Sequence, residues 1–423
     1  MHYFFRLYTY ELKKILKRKI VWIALAVNIV LAAFTGCGNI FSSITVYRGQ
    51  EYVSMNGLEY ERYKKENKMK LSGKAIDDTL LKETKEAYQK IHTVSYGEEE
   101  LGAGNSASHT MTEGRFDKDT NLEELKQQIE LYKVIYNYVS DCVGNYEAIH
   151  TIYETELYQA RHERLLGRWD ELGLSGEEKE YWIKKENKIE TPFIYQYAEG
   201  WERVISAVYS LCFMMGITIA VCLANVFSEE NLRKTDQLIL CSRYGKKHCY
   251  FAKVAAGVTL GIVSGGITFF VTSSITLMLY GAEGKDAIVQ ILFPSCSRNM
   301  TVWQVVIMFA VIYLIVCLLW SIITMFLSES TKNGVAVTGT MAGGLFIAMI
   351  LEIPDSYRFL SQIWELVPVR LMAIWQLGDN RLVKFLGVYL NNFDFAAVLY
   401  LSSCVWLIFM GKRIYENYQV KGR

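Results

Sequence analysis

The chain has 423 residues, 51% of them hydrophobic and only 21% charged, and its formal net charge is +1. With just 4 prolines, it is unlike a loop-rich or disordered chain. The charged residues are strongly segregated along the sequence. That segregation argues against two or three soluble domains, because helices buried in soluble proteins seldom run far without a charged residue.

Six stretches of 17 or more residues contain no Asp, Glu, Lys or Arg. They are 20–47, 204–228, 254–282, 299–328, 333–351 and 395–411. A helix needs about 20 mostly apolar residues to cross a bilayer core. A charged residue at mid-span costs roughly 2.5–3.5 kcal/mol, so its absence is the expected signature of a span. The sequence predicts an all-α polytopic membrane protein with six transmembrane helices, the third to fifth lying within 254–351.

The distribution of charge among the connecting segments predicts their sidedness. Four segments carry 17 basic and 6 acidic residues, a net charge of +11, against −10 for the rest of the chain; they are 1–19, 228–253, 328–333 and 411–423. Lys and Arg near span ends concentrate on the cytoplasmic side. We therefore expect a multi-pass protein of the cell membrane with both termini cytoplasmic, including the tail 412–423.

Residues 48–203 are the largest hydrophilic segment, and we expect them to form a mostly helical extracytoplasmic domain. Apolar residues recur at spacings of three and four from Leu122 to Ala160. This pattern predicts a long coiled-coil-like helix, kinked at Gly144. The tyrosines along it are interpreted as packing residues, because Tyr buries well with its hydroxyl group at the edge.

Shorter helices are predicted around this long one. Residues 77–92 would supply a partner helix, and Ser175 followed by Glu178 forms a capping box that predicts another helix start. Residues 352–394 form a second outer segment, which is amphipathic but too charged to span. There we expect two short helices that dip into the outer leaflet before the sixth span.

Two further patterns concern the membrane helices. Residues 1–19 place an apolar stripe opposite basic residues, which predicts an amphipathic helix on the inner membrane face. In the third span, Gly257, Gly261 and Gly265 recur every four residues. Such small residues let neighbouring helices approach closely, so this face is predicted to pack against another span.

The most informative segment is the inner loop 229–253, between the second and third spans. An acidic pair closes the second span, a short apolar stretch follows, and a basic turn leads into the third span. The residues of interest are Glu229, Glu230, Thr235, Leu238, Ile239, Leu240, Arg243, Gly245 and Lys253. We expect Glu229 and Glu230 to form a partly exposed ion pair with Lys253. The apolar residues would need a hydrophobic partner outside the chain.

This loop resembles the cytoplasmic loop of ABC transporter permeases of the ABC-2 type. In that family, Glu at the end of the second span precedes a Thr-containing turn, an apolar helix, a Ser/Arg/Gly turn and a Lys that enters the next span. The start of the chain, from Tyr10 to Lys19, also resembles the start of these permeases. The large outer segment 48–203 is not covered by the resemblance.

The resemblance implies an exporter subunit without catalytic activity of its own. Two permease chains would pair, as a homo- or heterodimer, and each would rest on a cytoplasmic ABC ATPase that binds ATP and Mg²⁺. The loop 229–253 would couple the two subunits. The transported substrate stays open among peptide antibiotics, lipids and drug-like molecules, and the expected surroundings are membrane lipids rather than nucleic acid.

The chain itself lacks the sequence pattern of a nucleotide site. No GxxxxGK[ST] motif is present, so we expect no cofactor on this chain. An alternative function is a membrane sensor whose outer helical domain binds a ligand. The largest cytoplasmic segment of this chain is short, so a partner protein would have to pass on the signal. A four-span mechanotransmission permease fits less well, because six spans are predicted. A disulfide between Cys142 and Cys296 is conceivable.

Overall fold

The computed structural model describes residues 2–41, 43–48, 51–95, 122–145, 149, 152–233, 235, 245 and 247–417. In chain order, the helices before the second long apolar stretch are α1 (His2–Leu16), α2 (Lys19–Cys37), α3 (Gly57–Met69), α4 (Asp78–Ser95), α5 (Leu122–Val143), α6 (Glu154–Glu171) and α7 (Gly176–Glu186). Those that follow are α8 (Glu199–Leu223), α9 (Asn225–Leu232), α10 (Lys247–Tyr280), α11 (Val289–Leu292), α12 (Val302–Thr331), α13 (Gly334–Ile350), α14 (Arg358–Glu365), α15 (Pro368–Leu371) and α16 (Asn392–Asn417). The strands are β1 (Ser43–Arg48), β2 (Glu51–Asn56), β3 (Leu382–Phe385) and β4 (Val388–Asn391).

The predicted all-α polytopic membrane architecture is confirmed. Within the described residues, five helices are long and apolar enough to cross a membrane: α2, α8 together with α9, α10, α12 and α16. The fifth predicted span corresponds to α13, a shorter apolar helix of 17 residues. These helices share one core, in which α12 packs against α8, α10 and α16.

The first membrane helix is shorter than the uncharged run 20–47. It ends at Cys37, and Gly38 adopts φ +55°, a conformation that favours glycine. A side chain at Gly38 would also meet the Tyr280 hydroxyl at 2.6 Å. Within the remainder of the run, Gly38–Phe41 form a short 3-10 helix, and β1 begins at Ser43 and pairs antiparallel with β2. The absence of charge identified an apolar segment but not the point at which its helix stops.

The predicted continuous helix from Leu122 to Ala160 is wrong in its middle. Helix α5 ends at Val143, Gly144 has φ +79°, and a new helix begins at Glu154. The first half of the predicted helix, α5, does pack against the predicted partner helix, α4. The rings of Tyr88 and Tyr136 are stacked there, with their centroids 4.3 Å apart. The left-handed conformation of Gly144 ends the helix where the apolar spacing alone indicates continuation.

The predicted helix start at Ser175 is confirmed. The Ser175 hydroxyl accepts a hydrogen bond from the Glu178 amide, and the Glu178 carboxylate accepts one from the Ser175 amide.

The two cysteines considered above as a disulfide pair, Cys142 and Cys296, are both buried and both free. Arg161 lies beside them, donating to the Cys296 carbonyl and pairing with Glu186.

The helices α3–α7 lie at one end of the bundle, which we call the domain end. Glu199, at the start of α8, accepts hydrogen bonds from Lys64 at 3.0 Å and Lys68 at 2.7 Å, both on α3. Arg203 bonds the same carboxylate at 2.9 Å and also reaches Glu61 on α3 at 3.1 Å. These shared ions attach the domain to the second membrane helix.

A second attachment joins α7 to the segment after α13. The Glu178 carboxylate pairs with Arg358 at 2.6 Å and accepts from the Leu382 amide at 3.0 Å. The Trp182 indole donates to the Asn380 carbonyl at 2.5 Å. Burial acts to raise the pKa of Glu178, but the hydrogen bonds that its carboxylate accepts from the Ser175 amide, Arg358 and the Leu382 amide outweigh it and hold the pKa below its usual value.

The segment 352–394 contains the two short helices that the sequence predicts. It also contains a β-hairpin that the sequence does not predict. Helices α14 and α15 are followed by β3 and β4, which pair antiparallel. The hairpin turns at Leu386 and Gly387, with φ +49° and +84°. This pair of left-handed residues forms the tight turn between the two strands.

Helix α10 presents two different faces to its neighbours. A side chain added at Gly257, Gly261 or Gly265 would collide with Met325, Ser321 or Cys317, respectively, all on α12. These glycines therefore lie at a close helix contact.

Threonines occupy the other face of α10, against α2. Thr268 donates to Asn28 Oδ1 at 2.8 Å, and Thr272 donates to the Ala32 carbonyl at 3.0 Å. Asn28 also donates to Thr218 on α8 at 2.9 Å, so one polar side chain joins three membrane helices. The sequence reasoning did not single out this polar seam.

Candidate coupling site at the basic end of the bundle

The end of the bundle opposite the domain is formed by α1, α9 and the beginning of α10, and we call it the basic end. Helix α8 stops at Leu223, and the chain turns at Ala224 before α9 begins. Ser328 on α12 donates to the Ala224 carbonyl at 2.6 Å, and Ser228 donates to the same atom at 3.2 Å. Ala224 keeps right-handed helical dihedrals, so the two helices follow each other closely, and these hydroxyls bind the carbonyl at the interruption between them.

Four charged side chains meet beneath α9. Lys253 Nζ lies 2.5 Å from Glu230 Oε1 and 3.0 Å from Glu11 Oε2. Lys14 Nζ lies 2.6 Å from the same Glu230 oxygen. Two ammonium groups and two carboxylates make this group electrically neutral. We call these four residues, Glu11, Lys14, Glu230 and Lys253, the buried quartet.

Burial sets the energetics of the quartet. Lys253, Glu11 and Glu230 are 0%, 4% and 5% exposed, whereas the Lys14 side chain, at the edge of the group, is 27% exposed. Removing one partner from a buried ion pair leaves an uncompensated charge and typically costs about 3–5 kcal/mol. The expectation of a partly exposed pair is therefore wrong. Lys253 lies inside α10, which begins at Lys247, rather than at the solvent-facing mouth of a span.

Glu229 belongs to a separate ion group beside the quartet. It pairs with Arg18, and Arg233 Nη2 lies 2.7 Å from its other oxygen. Arg18 also donates to the Asn225 carbonyl at 3.0 Å. The two neighbouring glutamates thus face different cations, and only Glu230 reaches Lys253.

Three members of these two groups come from the amino-terminal segment and were missed as site residues. Glu11 and Lys14 lie on α1, and Arg18 lies in the short link to α2. Their signal in the sequence is an acidic residue three positions before a lysine, on a helix that is otherwise basic on its polar face. That signal indicates a helix face but does not identify a partner more than 200 residues away.

The other residues of the predicted coupling loop are only partly described. The Thr235 amide and hydroxyl both donate to the Glu230 carbonyl, at 3.0 and 3.4 Å. The Gly245 carbonyl accepts a hydrogen bond from Tyr415, near the end of α16, at 3.3 Å. Four predicted coupling residues lie outside the described residues: Leu238, Ile239, Leu240 and Arg243.

The apolar helix bundle, with a hydrophilic domain at one end, defines the class of the molecule as a helical multi-pass membrane protein. A family model described as "ABC-2 family transporter protein" matches residues 6–362, and the chain belongs to that family. The family comprises membrane permease subunits, generally non-catalytic, that work with an ABC ATPase. No curated protein and no solved structure matches the chain.

Proposed function

We propose that this chain is the permease half of an ABC exporter and that its basic end docks on a cytoplasmic ATPase subunit. ATP and Mg²⁺ bind to that ATPase, and a second permease chain, identical or different, completes the pore. Substrate moves outward, towards the side that carries the α3–α7 domain. Peptide antibiotics, lipids and drug-like molecules are the substrate classes to be compared.

The observation that carries this proposal is the buried quartet. It joins α1, α9 and α10 through ion pairs of 2.5–3.0 Å. A force applied to the loop that follows α9 would therefore be shared with the amino-terminal helix and the third membrane helix. A contiguous network of buried ion pairs of this kind offers a physical route by which movement of the loop would reach both helices.

The remaining loop residues supply the proposed contact surface. Leu238, Ile239 and Leu240 would enter a groove on the ATPase, and Arg243 would meet acidic groups there or lipid phosphates. Arg233, at the end of α9, is 72% exposed at its side chain and extends the basic surface on the same side. Gly245 and Lys253 anchor the carboxyl-terminal end of the loop to α16 and α9.

The test is a pull-down of the full-length permease in detergent with the ATPase encoded beside it, followed by the hydrolysis rate. We expect Leu238→Asp combined with Leu240→Asp to keep membrane insertion but lose ATPase binding or uncouple hydrolysis from transport. The matched control is Leu386→Asp with Val388→Asp, which alters two exposed residues of equal spacing at the domain end.

Normal ATPase binding and coupled hydrolysis in the Leu238/Leu240 variant would contradict the proposed coupling role. Loss of binding in both double variants would indicate a general defect instead. A membrane sensor would show ligand-dependent output without ATP-driven movement of substrate. Transport into inverted vesicles that depends on ATP and on the co-purified ATPase therefore separates the two functions.

A further inference from the structure

A cavity of about 810 Å³ lies at the domain end, between α6 and the segment that follows α13. One wall carries Arg164 and Arg168, both on α6. The facing wall is built from residues between Glu352 and Arg381. Its volume falls within the range typical of sites for small ligands. The proposed coupling function makes no use of this cavity.

Part of the cavity wall consists of charges that already neutralise each other. Glu365 pairs with Arg370 at 2.6 Å, and Asp379 pairs with Arg381 at 2.7 Å. All four side chains are largely buried. Because each of these charges has its partner, they form a fixed polar wall and leave recognition to other groups.

Other charged side chains at the cavity lack such partners. Within the described part of the chain, no ion pair within 4 Å involves Arg164, Asp141 or Glu352, although all three line the cavity. Arg164 extends across the turn at Gly144, where an added side chain would lie 3.0 Å from its Nη1 atom. The cavity thus offers one guanidinium group and two carboxylates, which suits a ligand carrying both signs of charge.

The cavity also has an apolar side near the membrane helices. Ile374 and Trp375 line it, and the Trp375 ring lies 5.5 Å from that of Tyr209 on α8. Beside it, α14 exposes Phe359 and Leu360, which are 78% and 53% accessible. An amphipathic helix that exposes large apolar side chains is suited to the membrane interface. The cavity would then be within reach of lipids in the leaflet at the domain end.

We infer that this cavity binds the head of a zwitterionic amphiphile, namely a lipid with a phosphate and a primary amine. Arg164 would receive the phosphate oxygens, since a guanidinium group suits phosphate geometry. Asp141 and Glu352 would accept hydrogen bonds from the ammonium group. Trp375 and Ile374 would contact the first part of the acyl chains. The inference concerns binding alone and does not depend on the proposed coupling function.

Native mass spectrometry of the full-length protein in detergent tests this inference with four probes. They are phosphatidylethanolamine, phosphatidylcholine, phosphatidylglycerol and the deacylated head, glycerophosphoethanolamine. We expect phosphatidylethanolamine to bind best. Equal binding of phosphatidylglycerol would refute a role for the ammonium group, and equal binding of the deacylated head would refute the assignment to a lipid. This comparison needs no variant.

A double variant locates the site. Arg164→Gln with Glu352→Gln removes one charge of each sign and should weaken phosphatidylethanolamine binding about tenfold, because charge-assisted hydrogen bonds are lost. The matched control is Lys184→Gln with Glu180→Gln, an exposed ion pair on α7. Unchanged binding in the Arg164/Glu352 variant, or an equal loss in the control, would overturn the inference.

Discussion

Complete burial of the Lys253 ammonium group is tolerated because two carboxylates, Glu230 and Glu11, lie within 3.0 Å of it. In the low-dielectric interior, a charge is stable only when it is paired and hydrogen-bonded. The sequence shows a lysine at the beginning of a span, which usually extends its ammonium group towards water. Here the side chain instead turns inward to the joint between α9 and α10.

The first prediction concerns this lysine. Lys253→Met should lower the free energy of unfolding by about 3–5 kcal/mol, because Glu11 and Glu230 lose their central cation. The measurement is the thermal unfolding midpoint of the purified protein in detergent. Arg233→Met is the control, since its exposed pair with Glu229 is worth roughly 0–1 kcal/mol. If Lys253→Met lowered the unfolding midpoint no more than the control does, that result would contradict the buried quartet.

The pair of variants Lys253→Met and Glu230→Gln extends this prediction. Because both residues belong to one network, the double variant should be less destabilised than the sum of the two single variants. If the midpoint shifts of the two single variants add up to the shift of the double variant, the two side chains do not interact.

At the scale of the element, the close contact between α10 and α12 depends on glycine. Gly261→Ala should destabilise the protein by about 1–3 kcal/mol, because the new methyl group would collide with Ser321 and overpack the contact. Gly343→Ala on α13 is the matched control, since nothing lies within 4 Å of its added side chain. Equal unfolding midpoints for the two variants would contradict the close approach of the helices.

A pH-dependent prediction concerns the attachment of α7. The pKa of Glu178 is lowered in the folded protein, so its stabilising contribution is present above its unfolded value near 4.5. That contribution is lost as the pH falls through the folded value. Glu178→Gln should therefore destabilise the protein at pH 7, by about 1–3 kcal/mol. At more acidic pH, the difference from the wild type should shrink.

Unfolding midpoints between pH 7 and pH 3 test this expectation. Glu180→Gln provides the control, because Glu180 lies on the same helix but its side chain is 67% exposed. Its small effect should not vary in the same way with pH. A constant gap between Glu178→Gln and the wild type across this range would show that the carboxylate charge does not hold α7 in place.

At the scale of the whole molecule, the segregation of charge predicts the orientation in the membrane. Single cysteines in a cysteine-free background, at Glu180 in the domain and Ser242 in the coupling loop, should respond oppositely to an impermeant thiol reagent on intact cells. Glu180→Cys should react and Ser242→Cys should not. Labelling of Ser242→Cys alone would reverse the topology and place the proposed coupling loop outside.

Features governed by local interactions were predictable from the sequence. The helix start at Ser175 follows from a capping box within four residues, and the helical seam between α4 and α5 follows from apolar spacing. The break at Gly144 was only expected as a kink, because a glycine permits a left-handed conformation without requiring it. The hairpin β3–β4 was missed for a similar reason, since its turn at Leu386 places a non-glycine residue in that conformation.

The candidate site was predictable in part. Glu230 and Lys253 were identified from the loop and do pair, but Glu11 and Lys14 were not, because they lie more than 200 residues from Glu230 in sequence. Periodicity shows which side of α1 is polar, yet it does not indicate which helix that side meets. The cavity beside Arg164 could not be predicted for the same reason, since its walls come from segments separated by nearly 200 residues in sequence.

Charge spacing is enough to identify a helical membrane protein, because the free energy of placing charge in a bilayer excludes charged residues from the spans. The sequence also determines the positions of most helices, which depend on neighbours a few residues away. The three-dimensional packing, by contrast, sets which helix faces meet, buries Lys253 beside charges from α1 and α9, and creates the cavity at the domain end. Those outcomes depend on contacts between distant segments, whose geometry is set by the packing of the whole bundle.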